Sequence, residues 1–253
     1  MNKPRALLSV YDKSGLVGLA KGLVDLGWEL LSTSGTWEVL SDAGVLATEV
    51  AEVTGTPEML GGRVKSLHPV IHGAILADRS DHSHMEDLKT QGITPIDLVV
   101  VNLYPFSESQ NIEMIDVGGS TMLRAAAKNH THVGVVVDPR DYSLLLDELQ
   151  SQNRLSDETR LSLACRALEH SVSYDNAIMT WFKTGLSTSD VDPSQGLEKL
   201  PTNLHFALEK ADELRYGENP HQIGARYKWS PNRSGWWDEV IVHGGKAMSY
   251  LNV

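Results

Sequence analysis

Apolar positions along the chain follow two rhythms, and the turns between them carry the polar chemistry. Arg5 to Val10, Trp28 to Leu31 and Leu46 to Val50 read as short strands. Ile96 to Val101 is a nearly continuous apolar run and Val133 to Val137 is another, as strands buried on both faces should be. Between these runs the spacing changes to that of helices. Leu16, Leu19, Ala20, Leu23, Val24 and Leu26 share one face, with Asp12 and Ser14 available as caps and Gly27 as a stop. Further helices are predicted over Trp37 to Asp42, Thr121 to Asn129, Pro139 to Leu149 and, at greater length, Asp157 to Lys183, where Leu161, Ala164, Leu168 and Val172 fall in step. Asp78 to Gln91 is polar and predicts an exposed helix and loop. Thr184 to Pro201 is rich in Ser, Thr, Asp, Pro and Gly and reads as a linker. The resulting division is a domain over residues 1–185, a linker over 186–203 and the start of a second unit over 204–253.

The turns are more specific than the elements they join. Gly61-Gly62-Arg63-Val64-Lys65-Ser66-Leu67-His68-Pro69 holds two glycines, two cations, a hydroxyl and a proline in nine positions. Glycines let a backbone turn sharply and approach a ligand, while Arg63 and Lys65 offer a fork and a point charge to an anion. On composition alone, an ordinary basic surface loop fits equally well. The strand ending at Leu31 runs through Ser32-Thr33-Ser34-Gly35-Thr36 into a helix, which is how backbone N–H groups are aimed at a phosphate; a plain Ser/Thr cap has the same composition. The buried run to Val101 ends in Asn102-Leu103-Tyr104-Pro105-Phe106, where an open α/β sheet places its site, although Tyr104 also suits a core position. Ile115-Asp116-Val117-Gly118-Gly119-Ser120 opens the helix on which Ser120, Arg124 and Lys128 share a face.

Composition narrows the picture. A chain of 253 residues with 41% hydrophobic content supports one large or two modest domains. The net charge of −11 argues against a general nucleic-acid surface, yet Lys13, Arg63, Lys65, Arg124 and Lys128 gather cations near the turns. The single cysteine, Cys165, allows no internal disulfide or thiol metal site and suits a reducing cytoplasm. No signal-peptide pattern opens the chain, and no run approaches the ~18 apolar residues of a membrane helix, so a cytoplasmic protein without membrane contact is expected. The pairs His68/His72 and His82/His84 lack companion ligands at metal spacing, so no metal is expected.

Taken together, Asp12-Lys13-Ser14-Gly15, Thr33-Ser34-Gly35-Thr36, Pro57 to Pro69, Asn102 to Phe106, Ile115 to Gly119 and Arg124-Ala125-Ala126-Ala127-Lys128-Asn129-His130 resemble the IMP cyclohydrolase half of the bifunctional purine biosynthesis family. Leu214-Arg215-Tyr216-Gly217-Glu218-Asn219-Pro220-His221-Gln222 resembles the start of that family's second half, the AICAR formyltransferase. The resemblance spans nearly the whole chain. It implies a methylglyoxal-synthase-like α/β fold, a parallel sheet flanked by helices, followed by a helical segment and a short α+β fragment. It also implies dehydrative closure of 5-formamido-imidazole-4-carboxamide ribotide (FAICAR) to IMP, without metal or organic cofactor; 10-formyltetrahydrofolate would serve only the second half. By the same resemblance, nucleotide-binding positions fall on Tyr11, Asp12, Lys13, Thr33, Ser34, Gly35, Thr36, Arg63, Val64, Ser66, Val101, Asn102, Val117, Gly118 and Gly119. Catalytic positions fall on Lys65, Tyr104, Asp116 and Lys128, with Lys128 as proton donor, and remnant AICAR-binding positions on Arg215, Tyr216 and His221. The expected partner is a small ribotide, and a homodimer stays open.

The chemistry suits these residue types. A carboxamide nitrogen is a poor nucleophile, and the formyl oxygen it displaces must leave as water, which calls for an oxyanion donor and a general acid. One difficulty is geometric: an unbroken helix from Gly119 to Lys128 separates its ends by ~15 Å, too far for Asp116 and Lys128 to share a proton. Three departures from the family pattern also matter. Ser34 replaces a usual glycine and would be strained at positive φ. The segment from Phe106 to Asp116 is short, which reshapes a wall of the pocket. The chain ends at Tyr250-Leu251-Asn252-Val253, before the family's formyltransferase Lys-His pair, so formyl transfer by this chain alone is not expected. These departures leave open a nucleotide-binding module without turnover. A phosphate-eliminating lyase of the same fold is a further alternative, with Asp12 as its only local base.

Overall fold

A computed structural model describes residues 3–106, 108–187, 208–229 and 240. The expected linker, apart from its first two residues, and most of the expected second unit lie outside the described residues. The chain divides into two compact units, Met1–Tyr174 and Asp175–Val253.

In the first unit, β1 (Arg5–Val10), β2 (Glu29–Ser32), β3 (Thr48–Glu49), β4 (Leu98–Asn102) and β5 (Gly134–Val136) form one sheet in the order β3-β2-β1-β4-β5. Every neighbouring pair is parallel. All five residues of β4 are buried, as its unbroken apolar run requires. β1 lies in the middle, with Leu8 beside Ser32 on one side and Val100 on the other. The chain therefore fills one side of β1 with β2 and β3, then crosses to place β4 on the other. This is the switch point at which open parallel sheets bind ligands, beyond the carboxyl ends of their strands.

Helices α1 (Leu16–Asp25) and α7 (Tyr142–Gln152) join a core cluster around Ala6, Leu8, Val10, Leu98, Val100 and Val136. α2 (Ser34–Asp42), α3 (Val50–Thr54), α4 (Pro69–Leu76), α5 (His82–Thr90) and α6 (Val117–Lys128) complete the crossovers. Four elements differ from expectation. β3 is only two residues long; it is an edge strand, and Leu46 is exposed. α2 and α6 begin three or four residues earlier than their apolar spacing suggests, so the Ser/Gly turns are themselves first helical turns. In α8 (Asp157–Ser187) the core-facing residues are Leu163, Ala164, Ala167, Ser171 and Tyr174, whereas Leu161, Leu168 and Val172 are exposed. Small side chains let this helix approach the core closely, and that requirement overrides the larger apolar stripe.

In the second unit, β6 (Leu208–Leu214) and β7 (Gly224–Trp229) form an antiparallel hairpin with an irregularity between Lys210 and Asp212. Among the described residues no helix is long and apolar enough to cross a membrane.

Candidate active site

The site is built at the carboxyl ends of β1, β2 and β4. Asn102, the last residue of β4, is buried, and its Oδ1 accepts the N–H groups of Tyr11 (2.6 Å) and Asp12 (2.9 Å) while its Nδ2 donates to Asp12 O (3.2 Å). This clip fixes the turn that follows β1 and presents Lys13. Lys13 Nζ donates to the Val10 carbonyl and to Thr36 Oγ1 (3.1 Å). Burial pushes the Lys13 ammonium below its ordinary pKa, against the opposing pull of Asp12 and Glu38. A half-buried cation with two neutral partners is set to favour an anion.

That anion has a second attraction. Thr33 is the N-cap of α2 but makes no side-chain cap; its Oγ1 donates to Ser9 Oγ instead (3.0 Å). The first-turn N–H groups of a helix are short of partners and carry partial positive charge, so this end suits a phosphate. Ser34 is the first residue of α2 and is absent from the positive-φ residues, so the expected strain does not arise.

At the start of α6 the arrangement is different. Asp116 is its N-cap, and Oδ1 accepts Gly119 N–H at 2.7 Å. Burial pushes the Asp116 carboxyl above its usual range, partly offset by the Gly119 N–H and the Lys65 charge. Tyr174 supports the turn, its hydroxyl accepting Asp116 N–H and donating to Met114 O, both at 2.7 Å. Gly119 cannot carry a Cβ here, since one would collide with the Asp116 carboxylate and with Leu103. A Cβ at Gly118 would come within 2.9 Å of Ser66 Oγ.

The fourth wall is the loop from Met59 to Ser66, closed by a bridge between Met59 and Val64. Leu60, Gly61 and Gly62 all have positive φ, the conformation that favours the double glycine. Arg63 Nε donates to Glu113 Oε2 (3.1 Å), joining this loop to the short 107–115 segment. Tyr11 and Tyr104 meet edge to face at the mouth, 5.2 Å between ring centroids.

These elements enclose a cavity of about 560 Å³. From the expected positions it brings together Tyr11, Lys13, Thr33, Gly35 and Thr36, then Arg63, Lys65 and Ser66, and finally Asn102, Tyr104, Asp116, Val117, Gly118 and Gly119. Others lie elsewhere. Lys128 is exposed at the far end of α6, which runs unbroken and places its ends ~18 Å apart. The geometric difficulty is therefore real, and within one chain Lys128 does not reach this cavity. Asp12 is exposed, accepts Ser14 N–H (2.8 Å) and does not line the cavity. Ser34 faces away behind the wall, Val64 does not line the cavity, and the Val101 side chain is buried in the sheet. Arg215, Tyr216 and His221 belong to the second unit, where Arg215 stacks on Tyr216 at 4.8 Å. Ser9, Val10, Ile112, Glu113 and Ile115 line the cavity without having been expected. For the last three, the signal was the short segment before Asp116. Two histidines of the metal-like pairs make local contacts: His68 Nδ1 accepts Val70 N–H at the start of α4, and His84 Nδ1 accepts Asp78 N–H.

Comparison with known proteins identifies the family. The family profile for the MGS-like domain matches residues 15–134. The profile for the AICARFT/IMPCHase bienzyme matches residues 126–253, just over half the chain. Among solved structures, that of ForH is similar at 39% identity and a TM-score of 0.66, over 72% of this chain and all of that one. The chain thus belongs to the AICARFT/IMPCHase bienzyme family and carries an MGS-like domain.

Proposed function

We propose that this chain is an IMP cyclohydrolase, closing FAICAR to IMP with loss of water. The observation that carries the reading is the convergence of Lys13, Lys65, Tyr104 and Asp116 on one cavity flanked by two helix N-termini. The 5′-phosphate would lie at the open end of α2, held by Lys13, Thr33 and Thr36. The ribose and base would then extend toward α6. There the carboxamide nitrogen adds to the formyl carbon, and Asp116, whose raised pKa suits it to accept a proton, takes one from that nitrogen. Lys65, which shares the cavity with Tyr104, protonates the formyl oxygen, while the Val117 and Gly118 N–H groups favour its developing charge. The resulting hydroxyl takes the proton now held by Asp116 and leaves as water, while the former formamide nitrogen gives its hydrogen to the neutral Lys65 amine, forming the ring double bond and restoring both groups. Lys65 thus takes the role that the resemblance gave to Lys128.

The test is direct. Purified protein mixed with FAICAR should yield IMP well above the uncatalysed rate, and the Lys65→Met variant should lose at least ~10²-fold in kcat. IMP formation no faster than in buffer would overturn the reading; tight IMP binding without turnover would instead identify a binding module.

A further inference from the structure

Behind the wall that carries Lys65 lies a second, narrow pocket lined by Thr33, Ser34, Glu49, Glu58 and Lys65. Lys65 Nζ is 3.2 Å from Glu58 Oε1. Ser34 Oγ is hydrogen-bonded to that same oxygen and, at 2.7 Å, to Glu49 Oε1. A hydroxyl has one hydrogen to give, so Ser34 donates to one carboxylate at a time while holding both in place. Lys65 also lies along the bare backbone of Gly62, where an added Cβ would come within 2.9 Å of Lys65 Cε and 3.5 Å of Glu58 Oε2. The ammonium is thus bounded by Gly62 and Glu58, and its charge reaches Asp116.

We infer that Glu58 is a positioning residue for Lys65, and that Ser34 and Glu49 hold Glu58 in turn; this rests on the cyclohydrolase reading above. Lysine is a long, flexible side chain, and a proton donor must be held close to its acceptor to be effective. Without Glu58 the Lys65 ammonium would be free to move between the cavity and solvent. A glycine at position 34 could not bridge the two carboxylates. Ser34, which reads in the sequence as a departure that threatens the site, becomes part of its support.

The experiment compares the wild type with Glu58→Gln, Ser34→Ala and Glu58→Asp. Two readouts are used: steady-state FAICAR turnover, and labelling of Lys65 by trinitrobenzenesulfonate, quantified by peptide mass spectrometry against the exposed Lys89. Glu58→Gln should lower kcat roughly tenfold or more while KM changes less than about threefold, as expected when a reacting group is misplaced rather than binding lost. Labelling of Lys65 relative to Lys89 should rise at least about threefold. Ser34→Ala should shift both readouts the same way by less, and Glu58→Asp should recover part of kcat. Unchanged Lys65 labelling in Glu58→Gln and Ser34→Ala overturns the inference, as does an unchanged kcat in an active enzyme. Should the wild type itself fail to turn FAICAR over, the cyclohydrolase reading falls, and the labelling result alone decides whether Glu58 positions Lys65.

Discussion

Two helix N-termini face the same cavity and are finished in opposite ways. α2 starts at Ser34 behind an N-cap threonine that spends its hydroxyl on Ser9, so its first turn is left open. α6 starts at Val117 behind an N-cap aspartate whose carboxylate already occupies the helix end. An open end favours an incoming anion, while a closed end brings its own. The Lys13 cation beside α2 and the Asp116 anion at α6 are both buried against their ionised forms. Under the proposed cyclohydrolase reading, the open end would grip a phosphate and the closed end would handle protons.

The largest expected effect falls on the closed end. Asp116→Asn keeps a competent cap but removes the proton acceptor, so kcat for FAICAR closure should drop by ~10² to 10⁴-fold while IMP affinity stays within a few-fold. Comparable losses in both would dissolve the distinction between the two ends. The next effect falls on the open end. Lys13→Met should weaken IMP binding by about 10 to 100-fold in calorimetry, as expected for one charge-assisted contact, and leave binding of inosine, which lacks the phosphate, unchanged.

A smaller effect concerns stability. The folded pKa of Asp116 is raised above its unfolded value, so its contribution is full below the unfolded pKa and is lost as pH rises through the folded one. At neutral pH the ionised group therefore costs stability. Asp116→Asn should melt a few degrees above the wild type at pH 7, and the gap should close as pH falls through the acidic range. A gap that persists in acid would show that ionisation of Asp116 is not its source. The smallest effect is reserved for Lys128→Ala, expected to change kcat less than about twofold because the side chain is exposed at the distant end of α6. A large loss would return Lys128 to the reaction.

The central strands were legible because burial on both faces leaves an unmistakable run of apolar residues, as in β4. The starts of α2 and α6 were not, since Ser, Thr and Gly are poor helix-interior residues and serve equally as turns or first turns. The rest of the buried face of α8 was hidden for another reason: beside the expected Ala164, close packing selected Ala167 and Ser171 over the larger Leu161, Leu168 and Val172. In the site, glycines, cations and caps were readable from local spacing and from the family resemblance. Their partners were not: Glu113 lies 50 positions from Arg63, and Ser34 meets Glu58 across 24. Sequence spacing also could not say that Lys128, on the same helix as the Asp116 turn, lies beyond reach of the cavity in its own chain. That follows only once the helix is known to run unbroken.

A crystal structure of the IMP complex tests the division between the two helix ends most directly. The 5′-phosphate should lie within hydrogen-bonding distance of Gly35 N–H and Lys13 Nζ, with the purine six-membered ring between Asp116 and Lys65. A phosphate seated instead on the Val117 and Gly118 N–H groups, with the base at α2, would contradict the account.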